Sequence, residues 1–105
     1  MSKPRPVRVT GSAARAIAEA AAWWTANRPK APEAFADEIE RALQVIAMHP
    51  GIGARATNVR LAGVRRIHLA RVRYHLYYRV TEAPEVIEVL ALWHTSRGSS
   101  PPIAR

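Results

Sequence analysis

The segment Tyr74-His75-Leu76-Tyr77-Tyr78-Arg79-Val80 has the two-residue period of a β-strand with one buried face. Its apolar set is Tyr74, Leu76, Tyr78 and Val80, and the alternate set is Arg73, His75, Tyr77 and Arg79. Because successive side chains of a strand point to opposite faces of the sheet, we expect the first set to be buried and Tyr77 and Arg79 to be accessible. Arginine, histidine and tyrosine on an open face can contact phosphates and stack on bases.

Strand patterns also flank this segment. Residues 64–69 alternate in the same way, and the short link of residues 70–72 predicts that these two strands are antiparallel neighbours. The nearly apolar run of residues 86–94 predicts a central strand buried on both faces, with His94 reaching the surface at its end, close to Arg97.

The segments around the strands read as loops. Residues 50–63 hold three glycines, which predicts a loop before the strands. Residues 98–105 are rich in Ser and Pro, and we expect them to form a loosely ordered tail. Residues 1–97 then form a single domain, since the whole chain has the length of one.

The N-terminal half changes from a strand period to a helical one. Val7 and Val9 predict a short first strand, after which Ser12 is the expected N-cap of a first helix. The apolar face of that helix is Ala14, Ile17, Ala21 and Trp24, and the buried stripe of a second helix beginning near Pro32 is Phe35, Ile39, Ala42, Leu43 and Ile46. The short turn between them predicts an antiparallel hairpin. The predicted fold class is therefore α+β: a strand, a two-helix hairpin, and a mostly antiparallel sheet of three further strands.

Charge is the clearest compositional feature. The chain has 16 Lys and Arg against 8 Asp and Glu, a formal net charge of +8, and residues 41–81 hold eight arginines and no acid. Such a basic surface favours anionic partners, whether nucleic acid or an acidic protein. A solvated arginine surface without a partner explains the same numbers, and the excess of arginine over lysine does not separate the two.

Several classes of function are disfavoured by what the sequence lacks. It has no cysteine, which excludes disulfides and thiolate zinc sites and fits a reducing cytoplasm. The first residues have no apolar core of a signal peptide, and charges interrupt the alanine-rich stretch, so we expect no membrane association. The four histidines fall on different predicted elements and no phosphate-binding loop is present, so we expect no metal and no cofactor.

Five short motifs in a fixed order resemble the RelE/ParE toxins of type II toxin–antitoxin systems, over residues 7–97. They are Ala34-Phe35-x-x-x-Ile39-x-x-Ala42-Leu43, Pro50-x-x-Gly53, Leu61-x-Gly63-Val64-Arg65, Tyr74-x-Leu76-x-Tyr78-Arg79 and Ile87-x-Val89-x-x-Leu92-x-His94-x-x-Arg97. The resemblance implies a toxin that a cognate antitoxin silences by laying an extended and helical segment across it.

The resemblance implies two different activities. RelE-like toxins cleave mRNA on the ribosome, using basic and aromatic residues of the exposed sheet face, whereas ParE-like toxins bind DNA gyrase and trap its cleaved complex. For cleavage, the candidate catalytic residues are Arg65, Arg73, Arg79, His94 and Arg97. For target binding they are Tyr77, Arg79, His94 and Arg97, and for antitoxin binding Trp23, Trp24 and Phe35.

The end of the sequence favours the ParE-like or plasmid-stabilisation branch. Many RNA-cleaving relatives carry a tyrosine after the last strand, and this chain has none after Trp93. The His94-x-x-Arg97 ending also resembles the ParE branch. We therefore favour gyrase inhibition, with ribosome-dependent mRNA cleavage as the alternative. A non-catalytic nucleic-acid-binding module is a third interpretation, which explains the charge but not the motifs in the helices.

Overall fold

The computed structural model describes residues 3–103, and its main elements follow the order that the sequence predicts. They are β1 (Val7–Val9), α1 (Gly11–Asn27), α2 (Ala34–Met48), β2 (Ala54–Arg55), β3 (Arg65–Leu69), β4 (Tyr74–Thr81) and β5 (Val86–His94). The predicted α+β class is confirmed. The one addition is β2, a strand of two residues within the segment expected to be a loop.

The five strands within residues 3–103 form a single mixed sheet in the order β1-β5-β4-β3-β2. β1 runs parallel to β5, and the other neighbouring pairs are antiparallel, so the sheet is mostly antiparallel as predicted. The antiparallel pairing of β3 with β4 is also confirmed. This order places β4 at the centre, where the alternating segment contributes to both faces of the sheet.

The two helices cover one face of the sheet and form the main core with it. α2 buries Phe35, Ile39, Ala42 and Ile46, four of its five predicted stripe residues, while Leu43 is half-buried. From the sheet, Leu76, Tyr78, Ile87, Val89 and Leu92 point into the same core. In the described residues neither helix is long and apolar enough to cross a bilayer.

For α1, the expected N-cap and one residue of the expected apolar face were wrong. The N-cap is Thr10 and not Ser12, since the Thr10 hydroxyl accepts a hydrogen bond from the Ala13 N–H at 3.2 Å and the helix already begins at Gly11. Ile17, Ala21 and Trp24 of the predicted face do pack against the main core. Ala13 and Ala20 are buried beside them, while Ala14 is exposed. Successive residues of a helix point about 100° apart, so a face centred on Ala13 and Ala20 leaves Ala14 at its edge.

A bulge in β5 allows this strand to place side chains in the main core along its whole length. Tyr77 pairs with Ala91 but Tyr78 pairs with Val89, so Leu90 is an extra residue on β5. Because strand side chains alternate, Val89 and Leu92 could not face the same side without that insertion. Both are buried in the main core.

The middle of the other face of the sheet is covered, which corrects the prediction for Tyr77. Tyr77 does point away from Tyr78, as the alternation requires, but it is only 1% exposed. It belongs to a second small core with Val64 and Ile103. A period-two pattern assigns a side chain to a face but cannot tell whether a distant segment covers that face.

Loop residues Ala56, Val59 and Leu61 provide part of this cover, and the segment that we expected to form a loosely ordered tail provides the rest. Residues 98–103 lie against the sheet, and Pro101 and Ile103 are buried. The Ile103 carbonyl accepts hydrogen bonds from the Arg60 and Leu61 N–H groups at 3.2 and 3.3 Å. Apolar burial and these backbone bonds together explain why this segment differs from the expectation. Residues 104 and 105 lie outside the described residues.

Candidate functional site

A cleft of about 620 Å³ opens at the edge of the sheet where β4 begins and β5 ends, beside the C-terminal end of α1. We refer to it below as the strand-end cleft. Its lining residues are Trp23, Trp24, Arg28, Arg71, Val72, Arg73, Tyr74, His94, Ser96 and Arg97. The volume falls within the range of pockets that bind small ligands or a few side chains of a partner.

The strand register brings the two sides of this cleft together. Tyr74, the first residue of β4, pairs with His94, the last residue of β5, and their rings meet edge to face at 5.0 Å. Arg73 lies just before β4 with a φ of 64°, in the left-handed region, and its carbonyl accepts a hydrogen bond from Thr95 N–H at 3.0 Å. The tight turn before β4 is thereby tied to the segment that follows β5.

Aromatic rings form the apolar part of the strand-end cleft. Trp23 and Trp24 are in edge-to-face contact at 6.2 Å, and Trp23 is 49% exposed. Phe35 packs edge to face against Tyr74 at 5.6 Å from within the core. An exposed tryptophan beside aromatic rings that are held by the core is typical of protein interaction sites.

The polar part of the cleft is strongly basic. Four of its lining residues are arginines, Arg28, Arg71, Arg73 and Arg97, and none of the described residues that line it is acidic. The three salt bridges within residues 3–103 involve other arginines. Glu19 lines an adjoining hollow with Arg97 but forms no salt bridge in that part of the chain. The cleft is therefore a site of uncompensated positive charge.

Two of these arginines lie over indole rings. The Arg97 guanidinium carbon is 4.1 Å from the centre of the Trp93 ring, and that of Arg28 is 5.3 Å from the centre of the Trp23 ring. Cation–π contacts of this kind hold a guanidinium in place while leaving its N–H donors available. The Trp93 indole N–H in turn donates to the Ser99 carbonyl at 2.8 Å, which links Arg97 to the segment covering the sheet.

Hydrogen bonds fix the orientation of His94. Its Nδ1 accepts from the Ser96 backbone N–H at 3.1 Å and lies 2.7 Å from the Ser96 hydroxyl. Because a backbone N–H can only donate, Nδ1 carries no proton in this arrangement, and the proton of the neutral ring is on Nε2. Nε2 is then a donor, which suits binding of an anion better than abstraction of a proton. Burial raises the pKa of neighbouring Tyr74, although Arg97 opposes this, so the phenol also remains a donor.

The structure divides the residues proposed from the sequence into two groups. Arg73, His94, Arg97, Trp23 and Trp24 all line the strand-end cleft. The cleft thus unites residues that we proposed separately for chemistry or target binding and for the antitoxin. The sequence could not show this, because the two sets are some fifty residues or more apart in the chain.

The second group lies elsewhere. Arg65 donates to the Gly53 carbonyl at 2.7 Å, and Arg79 forms a salt bridge with Glu88 at 2.8 Å. The Tyr77 hydroxyl accepts from Asn58, at 3.1 Å, in the second core. Phe35 is 1% exposed, which contradicts its assignment to a docking surface. Its apolar position on α2 is explained by the core, where it supports Tyr74.

Arg28 and Arg71 line the cleft but were not singled out from the sequence. Arg28 follows the last residue of α1, and Arg71 lies in the turn between β3 and β4. Their positions in the sequence carried a signal, since both arginines stand at the ends of predicted elements. The pairing of strands and helices brings those ends together. Recognising it needs the sheet order, which places the β3–β4 turn beside the end of β5.

The histidines do not form a metal centre in the part of the chain that the structure describes. His68 and His75 are paired across β3 and β4, with ring centres 5.0 Å apart, but no cluster of three or more ligating side chains is found in residues 3–103. Burial, with nearby Arg66 and His68, lowers the pKa of His75. The positive charge of Arg66 also disfavours a cation at this pair.

Comparison with known proteins gives one family. The family described as ParE toxin of type II toxin–antitoxin system, parDE, matches residues 7–98. No curated protein gives a significant match.

Solved structures share the fold at low sequence identity. A chain of the chromosomal ParDE TA system from P. aeruginosa has a TM-score of 0.71 and 18% identity, covering 90% of this chain and 100% of that one. The RelBE2 toxin–antitoxin complex from Mycobacterium tuberculosis gives 0.62 and 24%, covering 88% and 99%. The archaeal RelE-RelB complex from Pyrococcus horikoshii gives 0.58 and 17%, covering 91% and 100%. The α+β arrangement is thus common to ParE-type and RelE-type structures.

Proposed function

The chain belongs to the ParE toxin family of type II toxin–antitoxin systems, and from this premise we propose that it is a cytoplasmic toxin that inhibits DNA gyrase and is neutralised by a cognate acidic antitoxin. In this proposal it acts by binding, and is not itself an enzyme. The strand-end cleft provides the contact surface, with Arg97, Arg73 and His94 as its charged and polar groups.

The observation that carries the choice of gyrase is the covered second face of the sheet. The resemblance to RelE-like toxins places RNA cleavage on an exposed sheet face. Here the middle of that face is covered by Ile103 together with Ala56, Val59 and Leu61 of the loop before β3, and Tyr77 on it is 1% exposed. An mRNA strand could reach Tyr77 only after these covering residues moved away.

The positions of the candidate catalytic residues support the same choice. Cleavage of RNA needs a base at the 2′-oxygen, a cation at the phosphate and an acid for the leaving group, all within a few ångströms. Arg65 and Arg79 are engaged in bonds outside the strand-end cleft. Within it, His94 uses Nδ1 as an acceptor for Ser96, so no free base is available in this arrangement.

Support for an antitoxin partner comes from the relatives and from charge. The M. tuberculosis and P. horikoshii structures are toxin–antitoxin complexes. The net charge of +8 favours an acidic protein partner, and such partners often fold when they bind.

Mechanism can be tested with purified components. Incubation of the chain with gyrase and supercoiled plasmid is expected to accumulate cleaved DNA, whereas ribosomes programmed with mRNA are expected to leave the message intact. Replacement of His94 or Arg97 should then weaken inhibition in a graded way, with Arg97→Glu worse than Arg97→Ala. Message cut in the ribosomal A site with gyrase unaffected would contradict this proposal.

Ribosome-dependent mRNA cleavage remains the second candidate, because Arg73, His94 and Arg97 share one cleft with Tyr74. Under that mechanism, alanine at His94 or Arg97 should abolish cleavage while antitoxin binding is nearly unchanged, since catalytic groups act mainly on the transition state. Binding of DNA or RNA without either effect would instead indicate a non-catalytic nucleic-acid-binding module.

A further inference from the structure

A second basic hollow lies at the other end of β3 from the strand-end cleft. Its volume is about 350 Å³, and the described residues that line it are Arg55, Ala56, Thr57, Gly63, Val64 and Arg65. None of these residues lines the strand-end cleft. Arg65 begins β3 and Leu69 ends it, so at about 3.3 Å per strand residue the two ends are roughly 13 Å apart. We refer to this separate site below as the β2–β3 hollow.

Two arginines oppose each other in the β2–β3 hollow. Arg55 and Arg65 are Cα partners across the antiparallel pair of β2 and β3. Directly opposed side chains have their Cβ atoms about 5 Å apart, and like charges at that spacing destabilise a sheet. Neither arginine forms a salt bridge within residues 3–103, and residues 41–81 contain no acid. The described chain therefore does not offset this repulsion, whereas an anion bound from outside would.

The loop before β2 holds Arg65 in position. The Arg65 guanidinium donates to the Gly53 carbonyl at 2.7 Å, and the Gly53 N–H donates to the Tyr78 hydroxyl at 2.9 Å. The Tyr78 hydroxyl in turn donates to the Pro50 carbonyl at 2.7 Å, and Tyr78 is fully buried. Because a guanidinium has several N–H donors, the contact with Gly53 orients the group and leaves other donors for a ligand. A donor that is already oriented lowers the entropic cost of binding.

The donors of the β2–β3 hollow favour a phosphate over a carboxylate. The two guanidinium groups and the Thr57 hydroxyl can donate from more than one direction. A carboxylate presents its two oxygens along one edge, which matches a single guanidinium. A phosphate group is tetrahedral, so its oxygens can accept from two guanidinium groups at once.

We propose that the β2–β3 hollow is a phosphate-binding site in which Arg55 and Arg65 share one phosphate group. The phosphate is either free or part of a DNA backbone, since both present oxygens of the same kind. DNA is the source that the proposed function supplies, because the cleaved complex of gyrase contains it. This link to gyrase rests on the proposed function, whereas the phosphate site does not. In this arrangement the strand-end cleft contacts gyrase and the hollow contacts a phosphate of the DNA.

Melting temperatures test the site without DNA or gyrase. Replacement of chloride by about 20 mM phosphate at constant ionic strength should raise the melting temperature of wild type by about 3 °C and that of Arg55→Gln by less than about 1 °C. In chloride alone, Arg55→Gln should melt about 2 °C above wild type, because it removes a repulsion between like charges. Arg41→Gln removes an exposed charge on α2 and is the matched control. It should respond to phosphate as wild type does.

Binding of a labelled DNA duplex, followed by anisotropy over a range of salt concentrations, tests the DNA source. With a duplex of about 20 base pairs in about 0.1 M salt, Arg55→Gln should lower the affinity about 5-fold and reduce the salt slope by about one, as expected for the loss of one phosphate contact. Arg65→Lys keeps the charge but loses the two-pronged guanidinium, and should lower the affinity about 3-fold. Arg41→Gln should stay within about twofold of wild type. Circular dichroism reports whether each variant is folded.

The outcomes separate the phosphate site from the proposed function. If wild type and Arg55→Gln respond equally to phosphate and bind the duplex equally, the site is wrong. Stabilisation by phosphate that depends on Arg55, with duplex binding unchanged, would support the site and identify free phosphate as its ligand. If Arg55→Gln weakens duplex binding but gyrase accumulates cleaved DNA as with wild type, the link to gyrase is wrong. If wild type has no effect on gyrase, the proposed target fails, and the melting and duplex measurements still decide the site.

Discussion

The two ends of the central strand pair β4–β5 hold arginines in opposite environments. At one end Glu88 forms salt bridges with Arg8 and Arg79, each at 2.8 Å, and we call this the paired end. At the other end is the strand-end cleft, where Arg73 and Arg97 have no acidic partner within residues 3–103. The same residue type therefore stabilises the fold at one end and remains available for a partner at the other.

The difference arises from strand register. Arg8, Glu88 and Arg79 are Cα partners across β1, β5 and β4, so an acid lies between two arginines. At the cleft, the partner of Tyr74 is His94, and the residues that follow β5 include no acid. Total charge is therefore a poor guide to a binding site, because it counts paired and unpaired arginines alike.

The substitution with the largest expected effect, Arg97→Glu, tests whether only the cleft contacts the target. Arg97→Glu should reduce gyrase inhibition by about 30-fold or more, because it places a negative charge at the centre of a basic contact surface. Arg79→Ala at the paired end should leave inhibition close to wild type. Plasmid supercoiling assays over a range of toxin concentrations measure both. Equal losses in the two variants would show that the ends do not differ in function.

Removal of the acid at the paired end should affect stability and not toxicity. Glu88 is 13% exposed, and Glu88→Gln leaves two arginines without their carboxylate. We expect a loss of about 1 kcal/mol, at the upper end for surface pairs because Glu88 is largely buried, while the partial solvation of both arginines keeps the loss from being larger. For a domain of this size that lowers the melting temperature by about 4–8 °C. A loss of gyrase inhibition with unchanged melting would contradict the structural role.

Disruption of the contact between Trp93 and Arg97 should have a smaller effect on gyrase inhibition. Trp93→Leu removes the ring beneath the Arg97 guanidinium and the hydrogen bond to Ser99. We expect inhibition to weaken about 3-fold, corresponding to a cation–π contact at an exposed site. Trp93→Phe keeps an aromatic face and should lie between Leu and wild type. If Leu and Phe behave alike, the ring does not position Arg97.

The smallest effect is the pH dependence of the paired end. Hydrogen bonding from Arg79, with a further contribution from Arg8, lowers the pKa of Glu88 below its ordinary value of 4.5. A lowered folded-state pKa stabilises the fold above the unfolded-state pKa, and this stabilisation is lost as the pH falls through the folded-state pKa. The difference in unfolding free energy between wild type and Glu88→Gln should therefore be constant above about pH 5 and shrink below about pH 4.5. Denaturant titrations across this range measure the change, with Arg41→Gln as the control, since it alters an exposed charge without adding a group that titrates there.

Local patterns in the sequence were sufficient for the elements and the class. The two-residue period of the Tyr74 segment predicted β4, and the spacing of Phe35, Ile39 and Ile46 predicted the buried face of α2. Both predictions succeed because a side chain's direction depends on nearby backbone geometry, which a short sequence records. The motif order likewise indicated the toxin family, which the match over residues 7–98 confirms.

Long-range packing decided what the sequence could not. Tyr77 was expected at the surface and is buried, because Ile103 and the loop before β3 cover its part of the sheet. Phe35 was expected at a docking surface and lies beneath Tyr74. Accessibility depends on which distant segments meet, and neither composition nor periodicity contains that information.

The sequence by itself thus determined the strands, the helix hairpin, the excess of positive charge and the family, since each follows from local periodicity or from residues counted along the chain. Only the tertiary structure decided which arginines are paired and which remain open. β1 pairs in parallel with β5, which places Arg8 beside Glu88. The turn before β4 places Arg73 in the cleft with Trp23 and Arg97. Coulomb interactions fall off with distance and are screened by water, so the role of each charge is set by its neighbours in space.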